Sequence, residues 1–453
     1  MGVTITTRTA PGSKGSIVNT GVLFLVSPIG SGPSTPVLCQ SIPDFEAAFT
    51  TRLGPAIPAW DYLDTFFREG GNQVYVINSG APSASTTLST ALTTGAPITA
   101  LAVAATTAAI PAGSQVILTS GANTQTFITS GPVASGVTSI PVNSQTPTFA
   151  FPIGSAVAPL NYTGAFSALT PDLGPGQIAV VGEPASANLY GAIQAHADGN
   201  NRIGLLDVLS TDASVTALSA EGALAQALTS KENVGVFGSW ANVPAPAGVI
   251  GGTARQVPAS AVIAALCNRV DQAGNPNRPA GGRDYPLQYV TSFVFDPVLA
   301  ADQSSLKAKG VNFLHNAWGV LENYAFLTPL YTGTVPAGTP FWQLNCARAR
   351  MWLKAQAAII GENYYMKNID AQGKLAGRLG SDLAAVLKQL YDAGGLYGVT
   401  PGDAYSVNVS ASVNNNGTAA TGTLAAVASA KFSPYADAVN ITLVSVPVSG
   451  VVS

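Results

Sequence analysis

The chain has 453 residues, a formal net charge of −3, and 47% hydrophobic but only 9% charged residues, where ordinary soluble domains carry about 25% charged. That length points to several domains, and a surface so poor in charge points to extensive burial against partners. The balance gives no general basic footprint for nucleic acid or an anionic membrane, and Cys39, Cys267 and Cys346 are too few and too widely spaced for a disulfide framework or a zinc site, so they read as buried free thiols made in a reducing compartment.

The start, "MGVTITTRTAPGSKG", lacks the apolar core of a signal peptide. "GVLFLVS" is a predicted strand that runs into a loop with Gly30 and Gly32. A phosphate loop must offer backbone N–H groups and lead at once into a helix. Here Pro28 and Pro33 lack that group, "TPVLCQS" reads as extended, and the next helix is expected only over 43–49. Gly373–Lys374 lacks both the upstream glycine and the following hydroxyl, so the Gly30–Gly32 loop is a proline-stiffened turn.

"PAWDYLDTFFREGG" is a helix started by Pro58, with Leu63, Phe66 and Phe67 on one face and a stop at Gly70–Gly71. Asp61 and Asp64 near its first turn are attributed to the helix dipole. "NQVYVINS" is the next strand. From there to Asp172 the chain has no charged residue, "PAGSQV" at 111–116 is echoed by "PIGSAV" at 152–157, and alternating runs such as "SQVILTS" and "TQTFITS" stand between turn signals. Its most apolar stretch, "APITALAVAATTAAIPAG", is broken by threonines and stops at Pro111, short of the roughly 20 apolar residues that span a bilayer.

Strands and helices then alternate: "GQIAVVG", a helix over 186–197, "RIGLLDVLS", a helix over 213–228, "NVGVFGS", and a helix over 258–270 before the loop "QAGNPNRPAGGRDYP". This order implies a mainly parallel sheet with covering helices. The last third has short strands around a turn at Lys309–Gly310, a long helix over 342–366, and a helix "SDLAAVLKQLYDAGG" with Ser381 as its expected N-cap. Both chain ends are extended and apolar, with no adjacent hairpin partner.

The fold class is therefore α/β and α+β multidomain, with a mainly parallel sheet core and covering helices, a β-rich insertion, and extended N- and C-terminal arms. The expected division is an arm at 1–18, an α/β segment at 19–80, the insertion at 81–160, a central α/β domain at 161–290, a C-terminal domain at 291–435 and an arm at 436–453. Nothing in it reads as catalytic. His196 and His315 stand outside any metal-ligand spacing, no Gly-x-Ser-x-Gly elbow occurs, and no catalytic, cofactor-binding or metal residue is assigned.

The order of the pieces carries a resemblance. "GVTITTR", then "NTGVLFLVSPIGSGPSTPVLCQSIPDFEAAFT", then "AWDYLDTFFREGGNQVYVINSG" resembles the opening of contractile-tail sheath proteins of phages and related injection machines. "GVNFLHNAWGVLENYAFL" takes the place of the family's Gly-Ile-x-x-Trp-Gly-x-Arg-Thr strand pair, with Gly310, Trp318 and Gly319 matching and Glu322–Asn323 in place of Arg-Thr. "NCARARMWLKAQ" is similar to the opening of the long family helix, and "VNNNGTAATGTLAAVASAKFSPYADAVNITL" to its closing loop and strands. The resemblance covers 1–80 and about 290–453 well, the middle moderately, and the insertion not at all; the arm also lacks the family's acidic residues.

The resemblance implies a structural subunit that polymerises as stacked helical rings around an inner tail tube and contracts from a metastable extended state. It gives the arms a role in adding strands to neighbouring subunits, through Gly2, Val3, Thr4, Ile5 and Thr6 at one end and Val439, Ile441, Leu443, Val444 and Val446 at the other. Seven basic and four acidic residues lie over 348–392, and the resemblance turns Arg348, Arg350, Lys354, Lys374, Arg378 and Lys388 toward an oppositely charged tube. The implied partners are further copies of the chain in hexameric rings, the tube protein, and baseplate and tail terminator proteins, with no direct nucleic acid and no membrane insertion. The implied place is a virion tail or contractile injection particle assembled in a bacterial host cytoplasm, the insertion lying outermost. The alternatives are an α/β hydrolase-like enzyme, from the alternation alone, and a phage adhesin or decoration protein, from the Thr/Ser-rich insertion.

Overall fold

A computed structural model describes residues 18–29, 32–51, 58–79, 86–107, 110, 115–121, 123–159, 162–182, 185–246 and 254–437. Strand β1 (Leu23–Ser27) is buried throughout, as a continuous apolar run requires when both faces of a sheet are covered. The chain then forms a short antiparallel strand β2 (Val37–Cys39), helix α1 (Ile42–Ala48) and helix α2 (Pro58–Arg68), and returns in β3 (Val74–Asn78), parallel to β1 from Leu23↔Val74 to Ser27↔Asn78. The loop after β1 is structural. Asn78 Oδ1 accepts the Ile29 N–H at 2.9 Å, and Gly32 (φ +97°) leaves no room for a Cβ, which would sit 2.4 Å from the Phe49 ring.

Residues 86–159 make six short strands: β4 (Thr86–Thr87), β5 (Ile98–Ala102), β6 (Gln115–Ser120), β7 (Asn123–Ile128), β8 (Ser139–Gln145) and β9 (Ala156–Pro159). They form a sheet ordered β4-β9-β6-β7 and a β5-β8 pair around their own apolar cluster, which includes Leu101, Val116, Leu118, Phe127, Ile140 and Phe151. The alternating runs are β6 and β7, paired antiparallel.

After α3 (Tyr162–Ala168) the chain alternates through β10 (Gly176–Val180), α4 (Ala187–Gly199), β11 (Arg202–Asp207), α5 (Val215–Gln226) and β12 (Val234–Gly238). Ser186 and Ser214 accept the backbone N–H groups of Leu189 and Ala217 and so cap α4 and α5. A small sheet of β13 (Ala241–Pro244), β14 (Ala254–Val257) and β15 (Ser292–Phe293) brackets α6 (Ala259–Gln272). Next come α7 (Ala300–Lys307), for which the sequence shows no clear helical pattern, and the hairpin β16 (Val311–Ala317) and β17 (Val320–Asn323). Trp318 and Gly319, matched above to a family strand motif, form the tight turn of that hairpin with φ of 56° and 85°.

The main sheet has eight strands in the order β17-β16-β12-β11-β10-β1-β3-β2, parallel from β16 to β3 and antiparallel at both edges. One face is covered by α1, α2, α6 and the start of α8 (Leu344–Glu362), the other by α3, α4, α5 and α7. The chain closes with α8, α9 (Lys374–Asp392) and an antiparallel pair, β18 (Tyr405–Asn408) and β19 (Val427–Ala430), built on Ala349, Trp352, Leu387, Leu390 and Leu396.

Two local expectations are corrected. Ser381 is not a cap: α9 begins seven residues earlier, where the Asp370 carboxylate accepts the N–H groups of Lys374 (2.9 Å) and Leu375 (2.8 Å), and Ser381 Oγ bonds back to Gly377 O inside the helix. The apolar stripe simply extends upstream through Leu375, Ala376 and Leu379. Asp61 and Asp64 are not exposed dipole partners either, because both are buried and clamp Arg255, which lies 5.3 Å over the Trp60 ring. Cys39, Cys267 and Cys346 are free and buried, and burial pushes their thiols up to about 12, 11 and 12.

Replacing Arg255 by alanine strands two buried carboxylates side by side, a change that costs about 3–5 kcal/mol. The expected result is a large drop in the urea midpoint for Arg255→Ala, whereas Arg68→Ala, which removes the half-exposed partner of Asp64, moves it little.

Candidate assembly surface

The first half of α8 is buried in the body and the second half stands out of it, so α8 carries α9 and the β18-β19 pair away from the main sheet. β18 packs on α9, where Gly380 lets the chain at Val409 approach: a Cβ there would lie 3.0 Å from the Val409 side chain. Asn414 pins the connection between the strands, donating to Val409 O (3.0 Å) and Ala425 O (2.8 Å) and accepting from Ala425 N (2.8 Å). Among the described residues no third strand joins either edge of this pair. In an antiparallel ladder alternate residues point their N–H and C=O outward, so both edges are templates for further strands. A groove of about 330 Å³ runs between α8, α9 and β19, floored by Leu353, Val386, Leu387 and Phe432.

The N-terminal end leaves next to this unit, and the C-terminal segment turns away from it. Val18, the first described residue, belongs to its apolar cluster, and residues 431–437 lead from β19 back to the body. The ten arm residues, Gly2 to Thr6 and Val439, Ile441, Leu443, Val444 and Val446, lie outside the described residues.

The six basic residues separate. Arg348 is fully buried, 2.6 Å from Asp271 and bonded to Cys267 O, so its charge is not presented to any surface. Arg350 is spent on Glu232 and Asn233 and stacks 3.8 Å over Phe341. Lys388 pairs with Asp392 at 2.6 Å. Lys354, Lys374 and Arg378 are exposed and hold no ion pair among the described residues. Lys374 and Arg378, one turn apart on α9, border a shallow hollow with Tyr364 and Asp382, and the Tyr364 ring carries a further exposed cation, Lys367, at 5.0 Å. Lys367 stands between two helical patterns, so the sequence assigns it to no helix face. Beside it Tyr365 and Met366 are exposed, Met366 by 86%.

Both histidines are engaged within the chain. His196 accepts from Arg202 (2.7 Å) and stacks on Phe166, and burial followed by the Arg202 charge holds its pKa down at about 4. His315 Nδ1 lies 2.5 Å from Asp296. A crevice of about 330 Å³ opens at the C-terminal ends of β10 and β11, where open α/β sheets commonly bind ligands. Asp207 there is pushed up to about 7 by burial, offset by the Ser260 hydroxyl and amide that it accepts. No histidine, lysine or cysteine lines that crevice. Among the described residues no group of three or more His, Cys, Asp or Glu is placed to hold a metal, and no helix is long and apolar enough to cross a membrane.

Neither a family model nor a curated protein matches the sequence. Solved structures do match the fold. The helical sheath of the anti-feeding prophage in its contracted state aligns over 98% of this chain and 98% of its own, with a TM-score of 0.59 and 16% identity. The sheath complex of an extracellular contractile injection system, PVC, also contracted, aligns over 98% of each chain at 0.61 and 11%. The sheath tail protein of Desulfitobacterium hafniense aligns over 90% of this chain and 93% of its own at 0.51 and 12%. This chain has the fold of those sheath proteins.

The His196 ring gives a pH dependence. The folded chain keeps it neutral down to about 4, while an unfolded chain takes up the proton near 6.5. Between those values the unfolded form binds more protons, so stability falls as pH falls through the window. Thermal midpoints measured from pH 7 to 4 are expected to decline less steeply in His196→Gln, whose amide oxygen still accepts from Arg202.

Proposed function

We propose that this chain is the structural subunit of a contractile tail sheath, polymerising as stacked helical rings around an inner tube and contracting from a metastable extended state to drive the tube through a target envelope. The observation that carries the reading is the β18-β19 pair, which no third strand joins among the described residues and beside which the N-terminal end departs, in a fold shared end to end with sheath proteins. Strand addition there makes a heterologous contact that does not close on itself, and such contacts build helical tubes. No nucleotide is needed: the energy is stored in the lattice and released as the bodies repack.

The partners in this reading are other copies of the chain in hexameric rings, the tube protein, and baseplate and tail terminator proteins. Its place is the tail of a virion or a contractile injection particle such as a tailocin, made in a bacterial host cytoplasm. Lys354, Lys374, Arg378 and the added Lys367 are the tube-facing cations, Arg348 and Arg350 being engaged within the chain. Contacts of this kind set register and are broken without a deep apolar seam to separate.

Negative-stain electron microscopy of the full chain is expected to show tubes, and of a chain lacking residues 1–18 only small particles. Small particles from both, across salt and concentration, would sink the proposal. Charge reversal at Lys354, Lys374 and Arg378 together should leave empty tubes intact but abolish salt-sensitive assembly on the inner tube; unchanged loading would remove the tube-facing role.

A further inference from the structure

Beyond β19 the chain makes one more antiparallel bridge, Phe432 to Leu396, in which Lys431 O accepts the Tyr397 N–H at 2.8 Å. Lys431 and Ser433 still bond to the α9 end of the unit, through Ala404 O (2.9 Å) and Gly395 O (3.1 Å). From the Ser433 carbonyl onward the bonds come from the body. Ser433 O accepts from Asn277 at 2.8 Å. The Gln343 amide reads both backbone groups of Tyr435, accepting its N–H at 3.1 Å and donating to its C=O at 3.1 Å, as a neighbouring strand would. The Tyr435 hydroxyl accepts the Phe326 N–H at 3.2 Å, its ring packs against the apolar clusters on both sheet faces, and Asp437 pairs with Lys307 of α7 at 2.7 Å. Gln343 is 1% exposed and Asn277 4%, so these amides have no water to turn to and their bonds are costly to break.

We propose that residues 433–437 are a tension-resisting clamp that makes the C-terminal segment depart from the eight-stranded body rather than from β19. A two-stranded pair is marginal by itself, and a terminal strand pulled at its end yields one hydrogen bond at a time. The clamp places five residues with side-chain locks from α7, the Phe326 segment and the start of α8 between any pull on 438–453 and the β18-β19 pair. Resting on the sheath reading, it lets an arm held by a neighbour carry tension during contraction while the acceptor strands of its own subunit stay paired.

Single-molecule pulling on the full chain, with one handle at the C-terminus and the other on Ala195→Cys, an exposed position of α4, tests this without any assembly. In the parent the first low-force event should release only residues beyond Asp437. In Gln343→Ala/Lys307→Ala it should lengthen by at least about 35 Å, the span from Val427 to Asp437 at roughly 3.4 Å per residue. Equal lengths would overturn the clamp. If the double variant melts at room temperature, Lys307→Ala alone is pulled, and an unchanged rupture force for 433–437 overturns it equally. Because one chain suffices, absence of tubes in microscopy would remove the sheath reading and leave this result standing, and equal lengths would do the reverse.

Discussion

The ion pair between Asp271 and Arg348 joins the two halves of the molecule. Arg348 lies in the buried half of α8, Asp271 at the end of α6, and the second Asp271 oxygen accepts the hydroxyl of Thr20, two residues after the first described one. Arg348 keeps two nitrogens without a partner in the protein interior, so Asp271 is its main compensation and the pair is tolerated only as a pair. With α8 fixed to α6 at this point, its outer half has a defined direction from the sheet, and the position of α9 and β18-β19 follows.

Charge is used in the same manner elsewhere. The chain has few charged residues, and its buried ones sit at seams between elements distant in sequence. Arg255 of β14 holds two carboxylates of α2, and Arg202 of β11 lies 3.6 Å over Phe24 of β1 while donating to Leu169 O and Thr170 O beyond α3. Glu69 pairs with no cation among the described residues: its oxygens accept the backbone N–H groups of Gln288, Tyr289 and Val290 at 2.6–3.1 Å, which ties the end of α2 to the chain before β15. Such placement leaves little charge for the surface, where the exposed cations are accordingly conspicuous.

Much of the fold was legible because its core strands are fully covered. β1, β3, β10, β11 and β12 show as short apolar runs separated by capped helices, and the parallel order follows from that alternation. The reading failed where a residue's role is set by a distant partner. Asp61 and Asp64 look like dipole charges until Arg255, more than 190 residues away, is brought between them. Arg348 and Arg350 alternate with apolar residues on a helix and count as surface cations until α6 and the segment before β12 arrive. Ser381 stands just before an apolar stripe, where a cap is expected, yet α9 runs on upstream through Gly377 and Gly380, and Gly380 serves close packing on Val409.

The proposed strand addition, in which the contact joining subunits would be made by main chain, fits a fold shared at 11–16% identity. A core tolerates wholesale substitution if volume and pattern persist, but an interface built on side-chain anchors would have to change in step on two surfaces. Strand addition removes that coupling, since each added strand bonds through groups every residue carries, and only the alternation of inward and outward side chains must survive. The β18-β19 pair meets that requirement with ordinary residues, Tyr, Ser, Val and Asn on one strand and Val, Ala, Ser and Ala on the other. What such an interface cannot dispense with is a rigid support for a pair too small to be stable by itself, and that support is the helix fixed by Asp271 and Arg348.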